Sequence, residues 1–251
     1  MQVYRSKHFN IRSKEDNTPV TNADMASHEL IKNFLRKSTL PILSEEAANI
    51  PFTDRNNWDS YWLVDPLDGT KEFIKKNDEF SVNIALMKKQ HPVAGIIYSP
   101  SYQDLYFSAP GKGVFKINCS NLIIDKTEDL SDLLEISAKL TPAENKNSIT
   151  VITSKSHQSK EVKKYISSLK KKWPKIDLIT KGSALKFGLI AEGKADVYPR
   201  FGTTMEWDTA AGHALFNELG FEVTDVETGK PLGYNKPDLR NPWFIAKNSR
   251  L

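Results

Sequence analysis

The sequence predicts a layered fold in two parts, an α+β half followed by an α/β half, on three observations. Short apolar segments between residues 81 and 117 are separated by turn signals, as in an antiparallel meander. Beyond residue 148, strand-like and helix-like segments alternate, as in an α/β unit. The stretch Pro142 to Ser148 between them is polar, so the boundary is placed there, giving halves 1–147 and 148–251.

The elements follow in order. Lys14 to Thr21 is polar and turn-rich and reads as a loop. Thr21 and Asp24 have capping-box spacing, with Asp where Glu or Gln is usual. The helix they open carries Ala26, Leu30, Ile31 and Phe34 at helical intervals and ends on Arg36-Lys37. Pro41-Ile42-Leu43 is a short apolar run, which places Ser44-Glu45-Glu46 at a strand end. Tyr61-Trp62-Leu63-Val64 reads as a buried strand that Asp65-Pro66-Leu67-Asp68-Gly69-Thr70 stops. The meander comprises Ser81 to Met87, Val93 to Tyr98, Leu105 to Phe107 and Val114 to Ile117. Gly111-Lys112-Gly113 lacks the third glycine of a dinucleotide fingerprint and reads as a hairpin. In the second half, strands are expected at Ile149 to Thr153, Ile176 to Ile179, Ala195 to Tyr198, Phe221 to Thr224 and Trp243 to Ala246. Helices are expected at His157 to Trp173, Ser183 to Glu192 and Asp208 to Leu219.

Composition narrows the class. Of 251 residues, 39% are hydrophobic and 26% charged, the balance of a soluble globular protein with a sizeable core. No apolar run approaches the roughly 20 residues of a membrane span. Met1 to Lys7 lacks the apolar core of a signal peptide. Cys119 is the single cysteine, so no intrachain disulfide can form, as in a reducing compartment. These features point to the cytoplasm. The histidines at 8, 28, 91, 157 and 213 show no zinc-ligand spacing. A net charge of +4 is too mild to imply nucleic-acid binding, yet around an acidic site it suits a small anionic substrate. Lysines 160, 163, 164, 170, 171, 172 and 175 read as a solvated helix face with Val162, Ile166 and Leu169 turned inward. Anion steering, or peripheral contact with an acidic inner membrane face, stays open. So does the choice between monomer and homodimer.

The stretch 65–70 is where chemistry concentrates. Proline suits the second position of a turn, so residues 65–68 read as a tight turn folding two carboxylates together. Gly69 permits a backbone conformation closed to other residues, and Thr70 adds a hydroxyl. Like charges held close need a proton or a cation. Hard oxygen donors, the Leu67 carbonyl among them, suit Mg²⁺ far better than zinc. The alternative is an Asx-type turn whose acids bond only to local N–H groups. Asp208 could equally be a helix cap, and Asp24 a first-turn acid.

The strings DPLDGTKEF and WDTAAG together resemble the signature segments of the inositol monophosphatase superfamily of Mg²⁺-dependent, lithium-sensitive phosphatases. The longer strings DPLDGTKEFIKKNDEFSVNIAL, GSALKFGLIAEGKADVYPRFG and NPWF are similar to its 3'(2'),5'-bisphosphate nucleotidase branch. The resemblance spans almost the whole chain. It implies an αβαβα sandwich of the inositol monophosphatase-like, sugar-phosphatase kind, with most metal ligands in the first half. It implies two Mg²⁺ ions, one held by Glu45, Asp65 and the Leu67 carbonyl, the other by Asp65, Asp68 and Asp208. Thr70 and Glu45 would orient the attacking water, and Asp24 would approach that water or a third ion. Gly69 and Thr70 would offer N–H groups to the phosphate, and Glu46 would support the ligands. Substrate contacts would extend to His157, Ser183, Lys186 and Arg200. The implied reaction, belonging to sulfate assimilation, is loss of the 3'-phosphate from 3'-phosphoadenosine 5'-phosphate or its sulfated form. An inositol monophosphatase or sugar bisphosphatase and a non-catalytic binder of phosphorylated metabolites are the alternatives.

Two departures stand out. Ala184 replaces the second serine of the GSSLKF string typical of that branch. Its members also open with a full helix, of which Met1 to Tyr4 alone is seen here, leaving packing at that end open. No G-x-S-x-G elbow or P-loop is present, and Cys119 matches no reactive motif.

Overall fold

The computed structural model describes residues 1–6, 11–13, 19–121, 129–141, 148–154, 159–249 and 251. Helix α1 (Gln2–Arg5) and the antiparallel pair β1 (Ile11–Ser13) and β2 (Pro19–Thr21) lead into α2 (Asn22–Leu35). A first sheet follows, in the spatial order β3 (Ile42–Ser44), β4 (Ser60–Asp68), β5 (Ser81–Lys88), β6 (His91–Ser99), β7 (Asp104–Ala109), β8 (Gly113–Asn118) and β9 (Ala138–Leu140). The pair β3–β4 is parallel and the others antiparallel, so the expected meander is present. Short helices α3 (Phe52–Arg55), α4 (Thr70–Ile74) and α5 (Leu130–Glu135) lie in its connections.

The second sheet uses β10 (Ser148–Thr153), β11 (Lys175–Thr180), β12 (Val197–Arg200), β13 (Glu222–Asp225) and β14 (Phe244–Lys247), in the order β11-β10-β12-β14-β13. Its β10 pairs are parallel, and β14 runs antiparallel to both neighbours. Between the strands come α6 (Lys160–Leu169), α7 (Leu185–Ala191) and α8 (Glu206–Leu219).

Helices α7 and α8 lie between the sheets. The main core joins Leu63, Met87 and Ile97 of the first sheet through Phe187, Ile190, Leu215 and Phe216 to Val223 and Phe244 of the second. Each such side chain contributes about 1.5–3 kcal/mol by leaving water. Outside the second sheet, Ile166 and Leu169 of α6 pack on Ile149, Val151 and Val197. The αβαβα layering is thus complete, with α2 against the outer face of the first sheet.

Several expectations need correcting. Strand β4 runs on through Pro66 to Asp68, so residues 65–68 are not a tight turn but a bulged strand end. Helix α2 does not bury the side carrying Leu30 and Phe34, which are 75% and 68% exposed. It buries Asp24, His28 and Leu35, because polar contacts to the strand ends choose its orientation. Helix α8 starts two residues earlier than expected, and α7 starts two later. Strand β12 lies two residues further along, at Val197–Arg200. Of the expected loop 14–21, residues 19–21 form β2 instead, and Ser148 of the boundary stretch 142–148 already belongs to β10; the rest of both, and the expected start of α6, fall outside the described residues. At the N-terminal end, Tyr4 is buried against Phe73 and Phe80, with ring centroids 5.0 and 4.8 Å away.

His213 of α8 shows what this interior demands. Tyr234 Oη donates to Thr209 Oγ1 at 3.3 Å and lies 3.0 Å from His213 Nδ1, which fits the neutral Nδ1–H tautomer. Burial pushes the imidazole pKa down to about 4. The folded state therefore resists protonation while the unfolded chain accepts it near 6.5. Stability contributed by the neutral ring is full above about pH 6.5 and falls as pH drops towards 4. Urea unfolding at pH 7 and pH 4.5 should differ by on the order of 3 kcal/mol from this residue. His213→Gln should remove that part of the pH slope. An unchanged slope would mean the ring does not stay neutral.

Candidate active site at the seam of the two sheets

The site is built from strand geometry. Residues three apart on a regular strand face opposite sides. Here Asp65 pairs with Asn83 and Asp68 with Ser81, so β4 holds one residue more than β5 over that interval. This bulge turns both carboxylates to one side. Pro66, with no N–H to lose, sits within it. Asp65 Oδ1 accepts the Leu67 N–H at 3.0 Å, so the Asx-type bond exists alongside the site. Gly69 then takes φ +92°, and a β-carbon there would lie 3.2 Å from the Glu79 carbonyl oxygen. That conformation redirects the chain into α4, a short helix with no sequence signal strong enough to anticipate it.

Helix α2 is stitched to this corner. Thr70 Oγ1 donates to Asp24 Oδ1 at 3.1 Å and lies 3.4 Å from the Leu67 carbonyl. Asp24 Oδ2 accepts the Thr21 N–H at 2.8 Å and the Thr21 hydroxyl at 2.6 Å, so Asp24 closes its capping box and also holds Thr70. Ser27 Oγ donates to the Pro66 carbonyl at 2.8 Å, and His28 Nδ1 lies 2.9 Å from Ser44 Oγ, beside Glu45.

Asp208 is a cap as well as a site residue. Its Oδ2 accepts the Met205 N–H at 2.8 Å. One ligand atom from each of Asp65, Asp68 and Asp208 lies within 4.8 Å of the others. Glu45, in the turn after β3, hydrogen-bonds Asp65. Burial, reinforced by Glu45, Asp68 and Asp208, holds the Asp65 pKa well above the carboxylate range. Burial and Asp68 do the same to Asp208. Asp68 is also raised by burial, less so because Lys186, Asn83 and the Ala184 N–H favour its charged form. Oxygen-only donors crowded until they resist ionisation fit a hard divalent cation, which would hold them ionised.

From the other half comes positive charge. The loop ahead of α7 presses close, since a β-carbon on Gly182 would lie 2.6 Å from the Glu79 carbonyl oxygen. Ser183 takes φ +50°, and the Ala184 N–H donates to Asp68 Oδ2 at 2.5 Å. The backbone of residue 184 thus reaches the site while its methyl is buried in the main core. Lys186 is buried, with its ammonium 4.9 Å from the Tyr198 ring centroid, and burial pushes its pKa down to about 8. Arg200 donates to Ser154 Oγ at 3.3 Å and to the Thr203 carbonyl at 2.8 Å, while its buried Nε has no protein partner among the described residues. A cavity of about 370 Å³ joins Asp68, Gly69 and Asp208 to Ser183, Lys186 and Arg200.

The profile of the inositol monophosphatase family matches residues 1–250. The chain is a member of the inositol monophosphatase family. A 3'(2'),5'-bisphosphate nucleotidase CysQ from Escherichia coli K12 is 42% identical over 248 residues, covering 97% of this chain and 92% of the relative. The crystal structure of CysQ from Bacteroides thetaiotaomicron, at 44% identity, superposes with a TM-score of 0.89 over 100% of this chain and 92% of that one. An IMPase/NADP phosphatase complexed with Mg²⁺ and phosphate shares the fold at 19% identity, with a TM-score of 0.71 over 96% of this chain and 82% of that one.

For this family member, Asp68, Gly69, Asp208, Ser183, Lys186 and Arg200 line the cavity, Asp65 joins Asp68 and Asp208 with Glu45 bonded to it, and Thr70 and Asp24 are bonded to each other. His157 lies outside the described residues. Asn83, which donates to Asp68 at 3.3 Å, and Tyr198 escaped sequence reasoning, because both read as ordinary strand residues. Burial pushes the Cys119 thiol pKa up, the opposite of an activated nucleophile.

The crowding has a measurable sign. A carboxyl whose folded pKa is raised destabilises the metal-free protein once the pH exceeds its ordinary range. Asp65→Asn should therefore raise the metal-free melting temperature at pH 8, by about 2–4 °C per kcal/mol of relieved repulsion. That gain should shrink towards pH 5. Added Mg²⁺ should raise the melting point of the wild type and much less that of the variant. Loss of stability in Asp65→Asn at pH 8 would show that the acids are not in conflict.

Proposed function

We propose that this protein is a Mg²⁺-dependent 3'(2'),5'-bisphosphate nucleotidase that releases the 3'-phosphate of 3'-phosphoadenosine 5'-phosphate, leaving AMP. The relatives named as such nucleotidases, similar over nearly the full chain, support the reaction. One observation favours a bisphosphate: the acidic group shares its cavity with buried Lys186 and with Arg200, whose Nε faces no protein acceptor among the described residues. A monophosphate would leave that cationic side of the cavity unused.

In this reading Glu45, Asp65, Asp68, Asp208 and the Leu67 carbonyl hold Mg²⁺, which when bound neutralises phosphoryl charge and acidifies water. The chain's residues do the rest. The Gly69 and Thr70 N–H groups stand at the start of α4, where they can face phosphoryl oxygens. Thr70 Oγ1 already donates to Asp24 Oδ1, so it can accept a proton from water while passing its own to Asp24. That water attacks phosphorus, the bond to the 3'-oxygen breaks, and the departing oxygen takes its proton from solvent. Lys186 and Arg200 hold the remaining phosphate and fix which end of the nucleotide enters. The guanidinium can present a planar fork to a phosphate, whereas the ammonium acts as a point charge.

Phosphate release from the adenosine bisphosphate, inositol 1-phosphate and fructose 1,6-bisphosphate decides the substrate. The expected order puts the adenosine bisphosphate first, with activity lost to chelator and reduced by Li⁺. Preference for inositol 1-phosphate would overturn the substrate assignment, and silence on all three would favour a binder. Lys186→Met should raise KM for the bisphosphate more than for a monophosphate. Thr70→Ala and Asp24→Asn should each lower kcat by about 10²-fold. As they act as one unit, the double variant should fall little further. Multiplying losses would show that they do not share a proton.

A further inference from the structure

The first turn of α8 is gripped by a buried polar network that the proposed reaction does not use. Glu206 is fully buried. Its carboxylate accepts the Asn235 N–H at 2.6 Å, the Lys236 N–H at 3.1 Å and the Lys236 ammonium at 2.5 Å. Asn235, held at φ +55°, is read from both sides by a single residue. Arg55 Nη1 donates to Asn235 Oδ1 at 2.7 Å, and Asn235 Nδ2 donates to the Arg55 carbonyl at 2.7 Å. Arg55 Nη2 donates to the Lys236 and Pro237 carbonyls at 2.7 and 3.1 Å, and Nε to the Ile50 carbonyl at 3.3 Å. The whole residue is only 2% exposed.

Arg55 therefore grips two segments at once. One is Ile50, five residues beyond Glu45. The other is 235–237, which clamps Glu206, two residues before Asp208. Glu45 and Asp208 come from separate elements, a turn after β3 and the start of α8, and no strand pairing joins those two. We propose that Arg55 is a positioning residue for the cation site, its buried guanidinium setting the spacing between Glu45 and Asp208. The proposal rests on the cation site of the assigned function and not on its substrate.

The chemistry asks for arginine. A planar fork with five donors can serve carbonyls on two loops together, whereas a lysine offers one nitrogen and can hold only one loop firmly. Mg²⁺ demands near-octahedral oxygen donors at about 2.1 Å and tolerates displacement poorly. A small slide of the α8 start relative to the Glu45 turn would thus appear as weakened cation binding before the fold is lost.

Calorimetric titration of the full chain with Mg²⁺, alongside melting curves and kinetics, tests this in Arg55→Lys and Glu206→Gln. Both should remain folded at 25 °C and bind Mg²⁺ about tenfold more weakly, the scale seen when supports of metal ligands are lost. Their kcat should recover as Mg²⁺ is raised, with substrate KM at saturating Mg²⁺ unchanged. Should Arg55→Lys not fold, Glu206→Gln decides, since it weakens the link through which the guanidinium's hold on 235–237 reaches the start of α8. A variant that melts lower yet binds Mg²⁺ like the wild type would overturn the proposal, because the network would then be structural only. A wild type that binds no Mg²⁺ would sink it together with the cation site. Failure on the adenosine bisphosphate alone would leave it standing.

Discussion

Four acids in one half-buried corner repel each other, and the architecture keeps them there. Glu45, Asp65, Asp68 and Asp208 come from three separate elements, and burial together with their mutual presence raises the pKa of the most crowded members. Held ionised without a cation, such a group costs several kcal/mol. The opposing forces are ordinary ones: a β-bulge with a proline in it, three polar stitches from α2, and a helix start clamped by Glu206, Asn235 and Arg55. Each acts by denying the acids any easy way apart.

The site lies at the seam for a related reason. Helices α7 and α8 are shared between the sheets, so the main hydrophobic core is continuous across the molecule. The same two helices deliver Lys186 and Asp208. Cationic and anionic walls are thereby set by core packing, with Phe187 one residue from Lys186 and Trp207 one residue before Asp208. Recognition and chemistry are positioned by the same buried rings.

Much of this was legible in the sequence, and the exceptions are instructive. The meander, the alternation after residue 148 and the capping box at Thr21 are local patterns, and local patterns read well. The orientation of α2 was misread because apolar periodicity points Leu30 and Phe34 inward, while the real inward face is fixed by Asp24, Ser27 and His28 bonding to distant strand ends. Residues 65–68 looked like a turn because proline and aspartate favour turns. Pairing with β5 overrides that preference and keeps them in the sheet. The acids of the site were nameable in advance from their motifs. Asn83, Tyr198 and Arg55 were not, since nothing in their own neighbourhood marks them, and their partners lie up to 182 residues away.

The backbone hydrogen bond from residue 184 to Asp68 carries an evolutionary corollary. An amide N–H is common to every amino acid but proline, so that contact survives a change of side chain, and alanine can stand where the nucleotidase branch shows serine. Gly69 has less latitude, since its φ of +92° strains any side chain and a β-carbon would stand only 3.2 Å from the Glu79 carbonyl oxygen. Along this cavity, drift is permitted where the main chain does the holding and resisted where it must bend.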